Sequence, residues 1–263
     1  MPQLIITDAN AREQIRERCR RLDPTLPFGA PGCRRRETEY GFLKGVKPSS
    51  FYFPPIPRQR WPELIANGRG SWLSDLRKGK LPPHDQGKTN YCWAHGSVRA
   101  VEVLRVYEGQ APLLLSAESV AVPLTGGRNR GGTPEEALEQ LRRYGACDQT
   151  YWPANDLNVR HATLGWTTDA ENHIILAWAD VLNFADQMTL ALHRVPVAIG
   201  LGWWGHLVCQ LDPIELAPNQ FGIGIDNSWG ADWGENGYGI LDEKHGTADL
   251  GAFAPISETF SPT

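Results

Sequence analysis

Residues 86–96 read Gln86-Gly87-Lys88-Thr89-Asn90-Tyr91-Cys92-Trp93-Ala94-His95-Gly96. Trp93, Val98, Val101, Leu104 and Val106 then recur at helical spacing, which predicts a helix from Cys92 to about Tyr107, ended by Gly109. A thiol on the first turn of a helix faces the positive end of the helix dipole, which favours thiolate over thiol. A side-chain amide six residues upstream, across a Gly-containing turn, can donate a hydrogen bond to an oxyanion forming beside that thiolate. A lone Cys before a Trp is more often a small buried residue. The rest of the chain therefore decides between a nucleophile and a core thiol.

Two downstream positions bear on that choice. His206 follows Trp203-Trp204-Gly205 and opens a strand-like run to Leu211. Asn227 opens Asn227-Ser228-Trp229-Gly230-Ala231-Asp232-Trp233-Gly234-Glu235-Asn236-Gly237-Tyr238-Gly239 at the end of another. A Cys nucleophile needs a base within hydrogen-bond reach, and the base needs a third group to hold its ring. Cys92, His206 and Asn227 supply those types in order. A neutral Asn suits the third role, because a thiolate–imidazolium pair needs an acceptor beside the ring and not a further charge.

The surrounding pattern is α+β. Thr133, Pro134 and Glu136 form an N-cap, N1 and capping-box set for a helix that Gly145 stops. Further helices are expected near Ser116 and over 184–193, with Asn183 as a cap. Residues 195–199, 206–211, 221–225 and 237–241 read as strands. Helices thus fill the first half of the main domain and strands the second. A charged helix is expected over 8–21, capped by Asp8, followed by a turn-rich break through Pro24, Pro27, Gly29, Pro31 and Gly32. Residues 1–55 read as a basic appendage and 56–263 as the main domain.

Composition narrows the class. The 263 residues include 41% hydrophobic and 21% charged side chains, which fits a globular chain. Residues 1–60 hold 12 Lys or Arg and 6 Asp or Glu, a charge of +6, so the remainder carries −10 of the net −4. A basic leader and an acidic body attract each other at modest ionic strength. The short run Arg34-Arg35-Arg36 is outweighed by the acidic body, so nucleic acid is not the expected partner. Five Cys in irregular spacing (Cys19, Cys33, Cys92, Cys147 and Cys209) show neither a disulfide framework nor a metal motif. No run approaches about 20 apolar residues, so no membrane span is expected. The first residues lack the pattern of a secretory signal, so synthesis in the cytoplasm is the expectation.

The motifs resemble those of the papain-like cysteine peptidases over about residues 80–245. Gln86 stands at the spacing of that family's oxyanion glutamine, Cys92-Trp93-Ala94 is similar to its nucleophile motif, and Leu115-Ser116 with Glu118 resembles its second-helix start. Arg130-Gly131-Gly132 is similar to its substrate-lining glycine pair, Tyr151-Trp152-Pro153 to the segment that follows, and His206 and the Asn227 block to its histidine and asparagine motifs. The resemblance implies a two-lobe α+β fold, a helical lobe and a β-barrel-like lobe with the cleft between them. It implies peptide-bond hydrolysis on a polypeptide substrate, with Cys92, His206, Asn227 and Gln86 catalytic and no metal or cofactor. Asn90, Tyr91, Gly131, Gly132, Trp93, Trp204, Gly205 and Trp229 would line the substrate site.

The pattern also breaks. Thr89-Asn90-Tyr91 replaces the family's usual Cys-Gly-Ser, and Arg130 with Asn129 stands where the partner of that first Cys is expected, so the bridge is missing. A side chain at Asn90 narrows the first subsite. The stretch between the strand at Pro196 and His206 is shorter than in typical members. His95 replaces an aromatic; it reads as a core or rim histidine, with a second base as the alternative. Residues 1–55 show none of the family's propeptide motifs. Two expectations follow for them: an inhibitory leader across the cleft, suggested by the charge asymmetry, or a docking arm to a larger assembly. The second belongs with an alternative reading of the whole chain, a binding module with little or no turnover.

Overall fold

A computed structural model describes residues 3–27, 30–35, 46–68 and 72–257. In chain order these residues form β1 (Ile5–Ile6), α1 (Ala11–Arg21), β2 (Lys47–Pro48), α2 (Ser49–Tyr52), α3 (Trp61–Asn67), α4 (Leu73–Lys80), α5 (Cys92–Tyr107) and α6 (Ala117–Thr125). There follow α7 (Pro134–Arg143), α8 (Leu164–Ala170), β3 (Ala177–Asp180), α9 (Phe184–Leu192), β4 (Val197–Leu201), β5 (His206–Ala217), β6 (Gln220–Asp226), β7 (Tyr238–Asp242), α10 (Glu243–Gly246) and β8 (Gly251–Ile256).

Local chemistry explains the helix limits. Thr133 accepts from Glu136 N–H while the Glu136 carboxylate accepts from Thr133 N–H, so the capping box forms in full. Ser116 caps α6 and Asn183 caps α9 in the same way with one bond each. The first helix starts at Ala11, three residues later than Asp8 suggests. Asp8 instead pairs with Lys244 at 2.6 Å, and Asn10 Oδ1 accepts from Thr7 N–H. The four strands expected from sequence are present as β4 to β7, each shifted or extended by a few residues.

All eight strands join one sheet in the order β1-β7-β6-β5-β4-β8-β3-β2. The inner pairs are antiparallel, and the two edge strands β1 and β2 are parallel to their neighbours. Both edges come from the first 48 residues, so the N-terminal segment is woven into the sheet. One core lies on the sheet side, through Val197, Ile199, Trp204, Ile223 and Phe184; another lies among the helices, through Trp93, Val98, Leu138, Leu141 and Trp152. Helix α5 stands between them and packs on β5. A Cβ at Gly96 would sit 3.2 Å from the Val208 carbonyl carbon, so glycine sets the depth of that contact. This approach brings the first turn of α5 against the first residues of β5, where Cys92 and His206 lie. Residues 36–45, part of the predicted basic appendage, fall outside the described residues.

Candidate active site

His206 enters β5 straight after the turn Gly202-Trp203-Trp204-Gly205, in which Gly205 takes φ +60°. Asn227 follows the last residue of β6. Antiparallel pairing of β5 with β6 sets the start of one beside the end of the other, so two residues 21 apart meet. The His206 Nε2–H donates to Asn227 Oδ1 at 2.8 Å. That bond fixes the tautomer by leaving Nδ1 as the free ring nitrogen. The imidazole packs against Trp204 and Trp229, each 4.9 Å from it between ring centroids and 5.2 Å from one another. The indoles exclude water from the His206–Asn227 bond and stop the ring from turning.

Cys92 opens α5, and backbone N–H groups of Leu207, Trp93 and Cys92 itself face its sulfur. Leu207 is the neighbour of His206, so the thiol lies against the strand that carries the imidazole. Both groups are buried. Burial pushes the Cys92 thiol up to about 11, against the pull of Arg18 and the backbone amides. Burial pushes His206 down to about 3; the Asn227 bond opposes the fall, and the charges of Arg18 and His95 add to it. Thiol and imidazole are both neutral at pH 7 in this state.

Gln86 is tied to the same place. Its N–H donates to Ser228 O, its Oε1 accepts from Ser228 Oγ at 2.6 Å, and its Nε2 donates to Thr89 O at 2.7 Å. One amide N–H is left over for another acceptor. Gly132 lies over the Trp93 indole so closely that a side chain there would overlap the ring. Trp93 is part of the core floor under the glycine pair and does not line an open surface. Tyr91 is likewise buried in the helical lobe, where its hydroxyl meets Thr125 Oγ1 at 2.8 Å and donates to Arg128 O at 2.9 Å.

No family model matches the chain. Among curated proteins it is similar to the oryzain gamma chain of Oryza sativa subsp. japonica, 25% identical over 187 residues, covering 60% of this chain and 50% of that one. It thus spans about half the length of the curated relatives it matches. Among solved structures it resembles xylellain, a cysteine protease from Xylella fastidiosa, at TM-score 0.61 and 18% identity, over 85% of this chain and 98% of that chain. It also resembles digestive procathepsin L 3 of Tenebrio molitor larval midgut, at TM-score 0.60 and 15% identity, over 94% and 79%. The chain has a papain-like fold.

Within this fold the candidate site is covered by the chain's own N-terminal segment. A strap of residues 30–35 runs over Cys92. A Cβ built on Gly32 would fall 2.5 Å from Cys92 Sγ, so only glycine fits there. The strap is held mainly through its backbone. Gly32 and Cys33 N–H both donate to Gly205 O, at 2.9 and 3.1 Å. Gly132 N–H donates to Gly32 O at 3.1 Å and Arg34 N–H to Gly132 O at 2.8 Å, a parallel bridge centred on Cys33 and Gly132. Asn90 Nδ2 donates to Pro31 O at 3.2 Å, and Arg18 bonds to both Ala30 O and Asn90 Oδ1. Asn90, the departure from the family pattern next to the nucleophile motif, is therefore an anchor for the strap.

Upstream of the strap, α1 covers the indoles around His206. Trp204 Nε1 donates to Gln14 O at 3.2 Å, Trp233 Nε1 to Gln14 Oε1 at 3.0 Å, and Arg21 Nη1 to Trp229 O at 3.0 Å. Of the residues singled out from sequence, Cys92, Asn90, Gly131, Gly132 and Gly205 meet the strap, His206 packs with Asn227, Trp204 and Trp229, and Gln86 is tied to Ser228 beside Asn227. Arg18, Pro31, Gly32 and Cys33 were not singled out as site residues. Their only signals were the Pro–Gly break and the basic charge of the leader.

Proposed function

We propose that the chain is a thiol peptidase acting through Cys92, and that the strap-covered form is its latent state. The observation that carries this reading is the buried 2.8 Å bond from His206 to Asn227, flanked by two indoles, on the strand that faces the Cys92 sulfur. Similarity to proteins named as cysteine proteinases supports it.

With the strap withdrawn, water and substrate reach the pair and the ionised forms regain solvation. His206 Nδ1 takes the Cys92 proton, and the thiolate attacks the scissile carbonyl carbon. As the C–S bond forms, the carbonyl π pair moves to oxygen, where the free Gln86 N–H and the Cys92 backbone N–H receive it. Collapse breaks the C–N bond, and the proton on His206 goes to the leaving amine. Water deprotonated by His206 then hydrolyses the thioester, which releases the acid and restores the thiol. Asn227 holds the ring throughout by accepting from Nε2–H. The substrate is a polypeptide, and no cofactor enters any step.

In the covered form Pro31 O accepts from Asn90 and Gly32 O accepts from Gly132 N–H, bonds that hold these strap carbonyls in place. Cleavage of a peptide library by the wild type beside Cys92→Ala tests the reading. Equal cleavage by both proteins would sink it, and labelling of Cys92 by a thiol-directed epoxide without cleavage would favour a binding module.

A further inference from the structure

Behind the site lies a buried chain of ionisable groups that the peptidase chemistry does not use. His84 Nδ1 and His95 Nδ1 face each other at 3.2 Å, with ring planes 85° apart. On the far side of each ring stands a carboxylate: Glu102 Oε1 is 3.1 Å from His84 Nε2, and Glu118 Oε1 is 3.3 Å from His95 Nε2. Glu102 also accepts from Leu115 N–H at 2.7 Å and pairs with Arg99 at 3.0 Å. Arg99 Nε reaches Asp226 at 3.1 Å, and Arg77 also bonds to Asp226. His84, His95, Arg77, Arg99, Glu102, Glu118 and Asp226 are all at most 5% exposed. Other titratable groups at this junction are Cys209 on β5, beside Asp226, Arg99 and Glu102; His206, beside His95; and Tyr91, beside Glu118.

Proton counting gives this chain one occupancy. If each Nε2 carries a proton toward its carboxylate, the two Nδ1 atoms can bond only when one proton lies between them. The pair then holds three protons on four nitrogens, a single positive charge. With Arg99 it balances Glu102 and Glu118. A fourth proton would set two N–H groups head to head at 3.2 Å. Loss of the shared proton would leave two lone pairs facing each other, so either change pushes the rings apart.

The chain also touches every segment of the proposed site. His84 lies two residues before Gln86, His95 one turn after Cys92 on α5, and Asp226 next to Asn227. We propose that His84 and His95 are positioning residues that share one proton and thereby lock the Gln86 loop to the Cys92 helix, so that activity is confined to the pH range in which that proton is retained. Burial pushes His84 below its ordinary value, with Arg99 and His95 adding to the fall against Glu102. Burial alone would raise both carboxyls, but His84 with Arg99 holds Glu102 low, and His95 holds Glu118 low. All three groups resist acid in the folded state.

The inference rests on the proposed peptidase for its effect on rate, but its physical core can be read without hydrolysis. Histidine-ring ¹⁵N spectra of the full chain, with Cys92→Ala to prevent hydrolysis, should show a pair of coupled rings and one strongly deshielded shared proton. These signals should appear and disappear together as pH is varied. Two rings titrating independently would overturn the proposal. Kinetically, His84→Gln should lower kcat about tenfold with KM within about twofold, and should shift the acid limb of the pH profile. An unchanged kcat and acid limb would equally overturn it. Should that variant fail to fold, the wild-type spectrum still decides. An intact shared proton in a protein that cleaves nothing would count against the peptidase reading alone.

Discussion

Two lengths of chain meet at Cys92 and are held by opposite means. The loop 84–91 is fixed by side chains that are themselves buried: Gln86 on Ser228, Tyr91 on Thr125, His84 on His95 and Glu102. The strap 30–35 is fixed mainly by backbone bonds to Gly205 and Gly132, with Arg18 and Asn90 as the polar links over the sulfur. Losing a buried side-chain anchor leaves unsatisfied polar groups inside the protein, which costs about 1–3 kcal/mol per group. The strap's backbone groups would find water once it lifted, so each bond holds it by only about 0.5–1.5 kcal/mol. The loop is therefore part of the fold, and on the proposed reading the strap is a cover that lifts from it.

That contrast can be broken from either side. The largest effect is expected at the nucleophile: Cys92→Ala should lower peptide hydrolysis by about 10³-fold or more and abolish epoxide labelling while the chain stays folded. On the strap, Gly32→Val should do the opposite. Its side chain would collide with Cys92 Sγ, and overpacking of about 1–3 kcal/mol should speed epoxide labelling about ten- to hundredfold. Labelling no faster than wild type would mean that the strap does not guard the thiol. Arg18→Ala removes the bonds to Ala30 O and Asn90 Oδ1, and should raise amide hydrogen exchange at Gly32, Cys33 and Arg34 about tenfold, with core amides of α5 unchanged.

The same contrast explains what the sequence made legible. Helix α5, the capping box at Thr133 and the strands β4 to β7 follow from spacing and from residues whose side chains do the work. Cys92, His206 and Asn227 could be picked out as a set because the proposed chemistry demands particular functional groups, and those sit on side chains. β1 and β2 were missed because a two-residue edge strand is defined by which backbone it lies beside, and that partner is remote in sequence. That the leader would cross the cleft was expected from its charge, but residues 30–35 were not picked out as the part that does so, because their contact atoms are largely N–H and C=O groups that every residue has. Asn90 shows the limit from the other direction. Its departure from the family pattern was visible, but the substrate subsite it seemed to narrow is occupied by Pro31 and Gly32.

The smallest expected effect separates the strap from the fold by pH. His206 has its ionisation lowered from the ordinary 6.5 to about 3 chiefly by burial, with the charges of Arg18 and His95 adding to the fall. A histidine with a depressed value in the covered state favours that state fully above the ordinary value. The contribution is lost as pH falls from 6.5 towards 3, because the uncovered ring takes up a proton that the covered ring refuses. Acid should therefore lift the strap. With an uncovered value near 6.5, the open fraction should rise about fivefold between pH 6.5 and about 5.5. Hydrogen exchange at Gly32 and Cys33, corrected for the intrinsic pH dependence, measures that fraction directly. His206→Gln should flatten the response, since an amide takes up no proton in this range. The buried carboxylates Glu102 and Glu118, both held low, lose their contribution only as pH falls through the carboxyl range below 4.5. Strap amides should thus begin to open in mild acid while the α5 amides remain protected, and simultaneous opening of both would show that cover and fold are a single cooperative unit.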